Sequence, residues 1–205
     1  MTPRLYNYDL DAECYRVRLV ASVVGIPLDI VGLDVFPGHD HLTDAMLALN
    51  PAGRLPVLVD GPLVLTQVPA ILWHLASRAD ATPGLIPAAP AIMLEWLGFA
   101  MGDLASATTA RNAAMLGQGD PVAPRRAARA ALRRLDDHMI RAGIAGHGFV
   151  AGDRLSLADL ALFPAFALSR DFGVDHDEFA ALRLWARRVR AVPGFITMPG
   201  IPDYH

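Results

Sequence analysis

Residues 50–71 read NPAGRLPVLVDGPLVLTQVPAI and contain two short apolar runs, 55–59 and 63–65, on either side of Asp60-Gly61. An Asp-Gly pair between two apolar runs is a strong signal for a tight antiparallel hairpin. Pro69 suits the first turn of a helix, where a backbone amide is not needed. The stretch therefore predicts two paired strands followed directly by a helix.

Upstream of this hairpin, the sequence predicts a β-α-β unit and one further helix. Residues 4–8 form a short expected strand, and apolar residues recur at mostly helical spacing across 12–24. Gly25-Ile26-Pro27 ends that helix. The remaining expected elements are a strand over 28–35, a helical segment over 39–49 and, after the hairpin, a helix over 69–77. Residues 1–79 are thus expected to form a βαβαββα domain with a small mixed sheet.

Downstream of the hairpin, three prolines and a glycine in residues 80–90 predict a linker. Beyond it the pattern is helical throughout, and residues 91–205 are expected to form an all-α domain. The expected helices cover 91–116, 124–142, 157–170 and 178–192. Ser156 and Asp159 have the spacing of a capping box, in which each side chain serves the other residue's amide. The fold class is therefore α/β followed by an all-α helical bundle.

Composition excludes several classes of protein. Of the 205 residues, 53% are apolar and 19% charged, so disorder is not the dominant state. All eighteen basic residues are arginine, which excludes reactions that need a phosphate-loop, Schiff-base or kinase lysine. No serine lies in a Gly-x-Ser-x-Gly elbow, which argues against a serine hydrolase. A formal net charge of −3 gives no general attraction for nucleic acid.

Neither a membrane partner nor a metal site is expected. The longest uncharged stretch, 61–77, is short and interrupted by prolines. Asp9, Asp11 and Glu13 lie near the N-terminus, where a secretory signal would have a basic start and an apolar run, which predicts a cytoplasmic location. The single cysteine, Cys14, allows no internal disulfide, and the pair His39 and His41 lacks a third ligand for a metal.

Leu55-Pro56 opens a strand at a position where proline has no amide to donate to the sheet. From the residues alone, a trans bond is the ordinary expectation for this pair. A cis bond would turn the amide and carbonyl of Leu55 outward, where an extended peptide could pair with them as an added strand.

Three motifs together give the chain a family resemblance. They are Asn50-Pro51-Ala52-Gly53-Arg54-Leu55-Pro56-Val57-Leu58, then Leu65-Thr66-Gln67-Val68-Pro69-Ala70-Ile71, and Ser156-Leu157-Ala158-Asp159. In this order, with a linker between the two halves, the chain resembles a cytosolic glutathione S-transferase over nearly its whole length. Leu5-Tyr6-Asn7 and Arg16-Val17-Arg18-Leu19 look most like the zeta-type and maleylpyruvate-isomerase-like members.

The resemblance implies a thioredoxin-like domain that binds glutathione as cosubstrate, a helical domain that forms most of the pocket for a small electrophile, and a homodimer. Leu55 would pair through its backbone with the cysteinyl unit of glutathione, with Pro56 as the cis proline. Gln67 would sit at the γ-glutamyl group. His41 and Arg54 would lie near the cysteinyl–glycyl end, although His41 also suits an exposed helix position.

Two positions depart from the family pattern. The residue after Gln67 is usually Ser or Thr, but here it is Val68, and the following Pro69 has no amide. One hydroxyl and one donor for the γ-glutamyl carboxylate are therefore lost, while the helix N-terminus and the Val68 amide remain. The catalytic serine of zeta-like members aligns with Asp11, which cannot donate a hydrogen bond when ionised and would raise the pKa of a nearby thiol.

The group that stabilises the thiolate is therefore open, and backbone amides near 12–14 are one candidate. Asp11 is a candidate by position, but a helix N-cap role suits it as well. Cys14 lies in the first turn of the expected helix and reads either as a small buried hydrophobe or as a donor to the glutathione sulfur. Tyr8 and Tyr6 share one face of the first strand, so one tyrosine hydroxyl is a further candidate.

In the helical half, the resemblance places four residues along the wall of the substrate pocket: Trp96, Met101, Arg111 and Met115. Arginine in this region of isomerase-like members holds an acidic substrate, so Arg111 is a candidate for that role. A surface or salt-bridge role is the alternative for Arg111. Five arginines between 125 and 134 form a basic helix face, interpreted as solvated or as a dimer contact.

The resemblance predicts a glutathione transferase or a glutathione-dependent isomerase. A second hypothesis is a binding or partner protein that keeps the fold with weak or no conjugation, which Asp11 and Val68 favour. A third is a thiol–disulfide reductase based on Cys14.

Overall fold

The computed structural model describes residues 2–78, 85–117 and 119–204. The chain divides into two compact units, Met1–Thr82 and Pro83–His205. Residues 80–84 of the expected linker 80–90, and residue 79 before it, lie outside the described residues. The predicted fold class is confirmed: a small mixed sheet with helices is followed by an all-helical unit.

The first unit contains a four-stranded sheet in the order β2-β1-β3-β4. Strand β1 is parallel to β2 and antiparallel to β3, and β3 pairs with β4 as the expected hairpin. The strands are β1 (Arg4–Asn7), β2 (Asp29–Gly32), β3 (Val57–Asp60) and β4 (Leu63–Leu65), and the helices are α1 (Ala12–Val23), α2 (Asp44–Leu49) and α3 (Val68–Arg78). Helices α1 and α3 pack against each other.

The single helical segment expected over 39–49 is wrong. A 3-10 turn at Asp40–Leu42 is separated from α2 by Thr43, whose backbone is extended with ψ 153°. His39 before the turn has φ 56°, in the left-handed region. The expected strand 28–35 is also shorter, because pairing with β1 ends at Gly32.

The second unit contains five helices among the described residues. They are α4 (Ala91–Met101), α5 (Ala105–Leu116), α6 (Val122–Ile144), α7 (Leu157–Ala167) and α8 (Ala180–Arg190). The single helix expected over 91–116 is wrong, because Gly102 adopts φ −99° and ψ −89° and ends α4. Every residue of α7 is buried, so this helix forms the centre of the unit. No described helix is long and apolar enough to cross a bilayer.

A buried histidine links the end of the chain to the helices of this unit. His176 is fully buried and stacks on Phe166, with ring centroids 4.2 Å apart. Its Nε2 lies 3.0 Å from the Ser169 hydroxyl and its Nδ1 lies 3.3 Å from the Tyr204 hydroxyl. Burial, and after it the charge of Arg170, lower the pKa of His176 to about 4.

We expect this histidine to make folding pH-dependent. Between pH 6.5 and about 4 the unfolded chain binds a proton at His176 that the folded chain does not, so stability is full above pH 6.5 and is lost as the pH falls. Replacing it in His176→Gln should remove about 2 kcal/mol from the difference in unfolding free energy between about pH 7 and about pH 5. Denaturant unfolding at the two pH values measures this. The exposed His147→Gln should keep the full difference, and an unchanged difference in His176→Gln would contradict the expectation.

Candidate functional site

One end of the sheet gathers the segments that carry the predicted binding residues. Strand β1 pairs with β3 so that Tyr6 lies opposite Val57, and Tyr8 after β1 and Leu55 before β3 therefore belong to segments at the same end of the sheet. Likewise Leu58 pairs with Leu65, so Pro56 before β3 and Gln67 after β4 belong to segments at this same end. The loop containing His41 also starts here, because β2 is parallel to β1. The sheet thus brings together segments that are distant in sequence.

Two helices begin at this end of the sheet. Helix α1 starts at Ala12, directly after the turn that follows β1, and α3 starts at Val68, directly after β4. Because the two helices pack against each other, their N-termini face the same region. A helix N-terminus carries partial positive charge and free amides, which suit a carboxylate or a thiolate.

The segment that presents Leu55 is shaped by Asn50. The buried Asn50 side chain donates to the Arg54 carbonyl at 2.8 Å and accepts from the Ala52 amide at 3.2 Å. Gly53 completes the turn with φ 59°, a left-handed conformation that favours glycine. The sequence analysis did not assign Asn50 this role in shaping the turn, although an Asn before a Gly-containing turn is a known signal for such hydrogen bonds.

Leu55 itself is half-buried, and the Leu55-Pro56 peptide bond is cis. Within the described residues, no protein group forms a hydrogen bond with the main-chain amide or carbonyl of Leu55. Pro56 is buried against the sheet. The chain therefore offers one free donor and one free acceptor at the place where an extended ligand could pair as an additional strand.

Asp11 is the N-cap of α1, and its Oδ1 accepts from the Cys14 amide at 2.7 Å. Burial is the main cause that raises its carboxyl pKa, the hydrogen bond from the Cys14 amide partly opposes it, and the negative charge of Glu13 raises the pKa further. The N-cap reading of Asp11 thus matches the contact that the structure shows. Any catalytic role of Asp11 remains a prediction.

Cys14 is fully buried, and its Sγ accepts from the Tyr8 amide at 3.5 Å. Burial, followed by the negative charge of Asp11, raises the pKa of the Cys14 thiol well above its ordinary value. A thiol that resists ionisation is a poor nucleophile. Tyr8 is half-buried, and its role in stabilising a thiolate stays a prediction.

A polar network beside this turn escaped the sequence reasoning. Arg18 donates through Nη2 to the Asp9 carbonyl at 2.8 Å, and Asn7 donates through Nδ2 to the Asp9 carboxylate at 2.7 Å. Asn7 is fully buried at the end of β1. These hydrogen bonds connect the end of β1 and helix α1 to the turn between them and so stabilise its conformation.

The other predicted binding residues belong to segments at this same end of the sheet. Gln67 and Arg54 are exposed, and Val68 is half-buried as the first residue of α3. His41 is half-buried in the 3-10 turn, and its Nδ1 has no hydrogen-bond partner within the described residues. The contacts of these residues with glutathione stay predictions.

In the second unit, the four predicted pocket residues are spread over two helices. Trp96 and Met101 lie on α4, Arg111 and Met115 on α5, and the break at Gly102 separates the pairs. The Trp96 ring lies 4.2 Å from the ring of His138 and lines a cavity of about 200 Å³. Met101 is half-buried and Met115 is exposed.

Arg111 is buried and engaged within the protein. Its Nε donates to Asp171 Oδ2 at 2.7 Å, and only 4% of the side chain is exposed. The salt-bridge alternative for Arg111 therefore matches the observed contact, whereas a substrate contact would need this pair to open. Among the described residues, no group of three or more His, Cys, Asp or Glu side chains is placed to hold a metal ion.

Two family profiles match the chain. One is described as glutathione S-transferase, N-terminal domain, and covers residues 13–78. The other is described as glutathione S-transferase, C-terminal domain, and covers residues 118–193. The chain belongs to the glutathione S-transferase family, and the resemblance seen in the motifs is confirmed.

Individual relatives include enzymes named as isomerases. The maleylacetoacetate isomerase of Rhizobium meliloti is 33% identical, with 93% of this chain and 92% of the relative covered. That of Pseudomonas aeruginosa is 29% identical, with 94% and 93% covered. Among solved structures, a possible glutathione S-transferase from Rhodopseudomonas palustris has a TM-score of 0.85 at 28% identity, covering 98% of this chain and 92% of that one.

Proposed function

We propose that the protein binds glutathione at the sheet end described above and uses its thiolate on a small electrophile, by conjugation or by cis–trans isomerisation. The observation that carries the proposal is the free amide and carbonyl of Leu55, set beside the N-termini of α1 and α3. A tripeptide with two carboxylates and a thiol suits a main-chain donor and acceptor flanked by positive helix ends.

In this proposal the cysteinyl unit pairs with Leu55. The γ-glutamyl group lies at Gln67 and at the Val68 amide, where α3 begins. The cysteinyl–glycyl end lies near Arg54 and His41. The exposed side chain of Arg54 supports this direction, since its guanidinium is available to a ligand carboxylate.

We propose a small electrophile, and we choose its chemical class from the names of the relatives. Because two relatives are named maleylacetoacetate isomerase, an acidic cis-alkene is the substrate class that we test first. In such a reaction the thiolate adds to the double bond, rotation follows, and the thiolate leaves again. A homodimer and a cytoplasmic location complete the proposal, as in the family resemblance.

The enzyme assays separate two readings of the same fold. Purified protein is incubated with glutathione and either an activated aryl halide or maleylacetoacetate, and the absorbance change of conjugation or isomerisation is followed. Turnover that requires glutathione and is blocked by S-methylglutathione supports the proposal. Saturable glutathione binding without turnover of either substrate favours the second candidate, a glutathione-binding partner protein, which the replacement of the family's serine by Asp11 supports.

The α3 N-terminus offers a gain-of-affinity test. Val68→Ser restores a hydroxyl beside the γ-glutamyl carboxylate, and a hydrogen bond to a charged group contributes roughly 1.5–3 kcal/mol. We therefore expect the Kd for glutathione to fall about tenfold or more, as measured by calorimetric titration. Val64→Ser, the same change at an exposed position of β4, should leave the Kd unchanged. Equal affinities for wild type and Val68→Ser would count against this placement of the γ-glutamyl group.

A further inference from the structure

Residues 195–204, which follow α8 and are called the C-terminal strap below, contact the ion pair of Arg111 and Asp171. Gly200 of the strap lies so close to Asp171 that a β-carbon at this glycine would be 3.2 Å from both carboxylate oxygens. The same carboxylate accepts from Arg111 Nε at 2.7 Å. The backbone of the strap therefore covers the acid that faces the buried arginine.

The strap also reaches the turn that carries Asp171 by a second route. Asp171 belongs to a 3-10 turn, Ser169–Phe172, which packs against α5. The Tyr204 hydroxyl of the strap lies 3.3 Å from His176 Nδ1, and His176 Nε2 lies 3.0 Å from the hydroxyl of Ser169 in this turn. Docking of the strap and the position of the turn are thus coupled, directly at Asp171 and indirectly through His176.

The strap is attached to α8 mainly by contacts near the surface. Arg187 Nε donates to the Tyr204 carbonyl at 3.1 Å, and Arg190 pairs with Asp203, whose side chain is 69% exposed. Burial of Met198 adds an apolar contact. The backbone of the strap consists of turns and extended residues, and exposed ion pairs contribute little to stability. Such a segment opens locally at a lower cost in free energy than the whole fold.

We propose that the strap and Asp171 form an autoinhibitory contact at Arg111. The docked strap holds the Asp171 carboxylate on the guanidinium. When the strap opens, Asp171, which at 22% exposure already contacts solvent, turns away and the carboxylate of a small ligand takes its place. A guanidinium binds carboxylates through a fork of parallel hydrogen bonds, so the ligand matches the group that it displaces. The inference rests on the proposed function for its ligand class, an acidic electrophile.

The docked strap lowers the apparent affinity for such a ligand. When only a fraction of the molecules is competent to bind, the apparent Kd equals the intrinsic Kd divided by that fraction. Minor conformations of proteins are commonly populated at about 0.1–10%. A variant whose strap is displaced should therefore bind a carboxylate at least about tenfold more tightly than the wild type does.

Gly200→Ala is the variant that displaces the strap, because its methyl group meets the Asp171 carboxylate and because alanine disfavours φ 95°. Gly146→Ala is the matched control: Gly146 has φ 88°, but an added β-carbon there has nothing within 4 Å. The probe is maleate, a small dicarboxylate, added without glutathione while the Arg111 Nε–H signal is followed by NMR. We expect the Kd for maleate to fall at least about tenfold in Gly200→Ala and to stay at the wild-type value in Gly146→Ala.

Tyr204→Phe is a second variant, which keeps the ring and removes only the hydroxyl at His176; it should lower the Kd for maleate by a smaller factor. It tests the inference even where Gly200→Ala does not fold. Equal Kd values in wild type and both strap variants, absence of maleate binding in all three, or binding that leaves the Arg111 signal unmoved would each overturn the inference. Because glutathione is left out, these results do not depend on glutathione binding or turnover, whose absence would remove the proposed function alone.

Discussion

Asp159→Ala is expected to lower the free energy of unfolding by about 4 kcal/mol or more. The carboxylate is fully buried at the start of α7 and accepts four hydrogen bonds. The donors are the amides of Val150 (3.0 Å) and Ser156 (2.9 Å), the Ser156 hydroxyl (2.7 Å) and Trp185 Nε1 (2.8 Å). Each buried donor left without a partner costs roughly 1–3 kcal/mol, and alanine removes the acceptor for all of them.

Denaturant unfolding, followed by circular dichroism and tryptophan fluorescence, measures this loss. Asp153→Ala is a suitable control, because Asp153 is 72% exposed and contacts only His147 among the interactions described for its side chain; its loss should stay below about 0.5 kcal/mol. If Asp159→Ala lowered the free energy of unfolding by less than about 1 kcal/mol, the four hydrogen bonds to this carboxylate would not stabilise the fold as expected.

Arg111→Met should cost about 3 kcal/mol of stability, because it leaves Asp171 without the cation that faces it. Removing one partner of a buried ion pair typically costs roughly 3–5 kcal/mol, and Asp171 keeps some access to solvent at 22% exposure, which places this pair at the lower end. Replacing both partners by apolar residues is often close to neutral. The double variant Arg111→Met/Asp171→Leu should therefore regain most of the lost stability.

This pair of variants also separates a structural role from a substrate role for Arg111. If the guanidinium serves packing, the single variant loses stability and the double variant recovers it, with KM little changed in the double variant. Unchanged stability in Arg111→Met together with a KM raised more than tenfold would show that the arginine contacts substrate instead. Thermal unfolding and steady-state kinetics of the three proteins give the answer.

Elements set by local chemistry were predictable from the sequence. The Asp60-Gly61 turn predicts the β3–β4 hairpin, and β4 has the predicted bounds. Ser156 and Asp159 predict a capping box, which is present at α7. In each case neighbouring residues satisfy each other's hydrogen bonds, so that the signal lies within a few positions.

Elements set by single backbone conformations or by distant contacts were not predictable. The helical pattern of 91–116 runs on through Gly102, and only the backbone angles of that glycine end α4. Arg111 and Asp171 are 60 positions apart, so no local pattern shows their pairing. Trp185 on α8 donates to the Asp159 carboxylate from 26 positions away, so this partner is known only once α8 packs against α7.

The candidate site was likewise predictable in part from local motifs and in part not. Its residue types follow from the motifs around Leu55 and Gln67, which belong to one continuous stretch. Its assembly depends on sheet order, since β1 lies between β2 and β3 and antiparallel to β3, so that the end of β1 and the start of β3 meet at one end of the sheet. Hydrophobic periodicity does not predict the order of the strands, so the sequence pattern alone could not show that these segments meet.

The most direct test is a ¹⁵N-detected amide titration of the wild-type protein with glutathione. We predict that the Leu55 amide shifts strongly downfield and saturates below about 10 mM ligand, together with amides at the start of α1 and α3, because the cysteinyl unit accepts a hydrogen bond from Leu55. Saturable binding that leaves the Leu55 amide unmoved, or no binding up to that concentration, would contradict the proposal that glutathione is held along this segment.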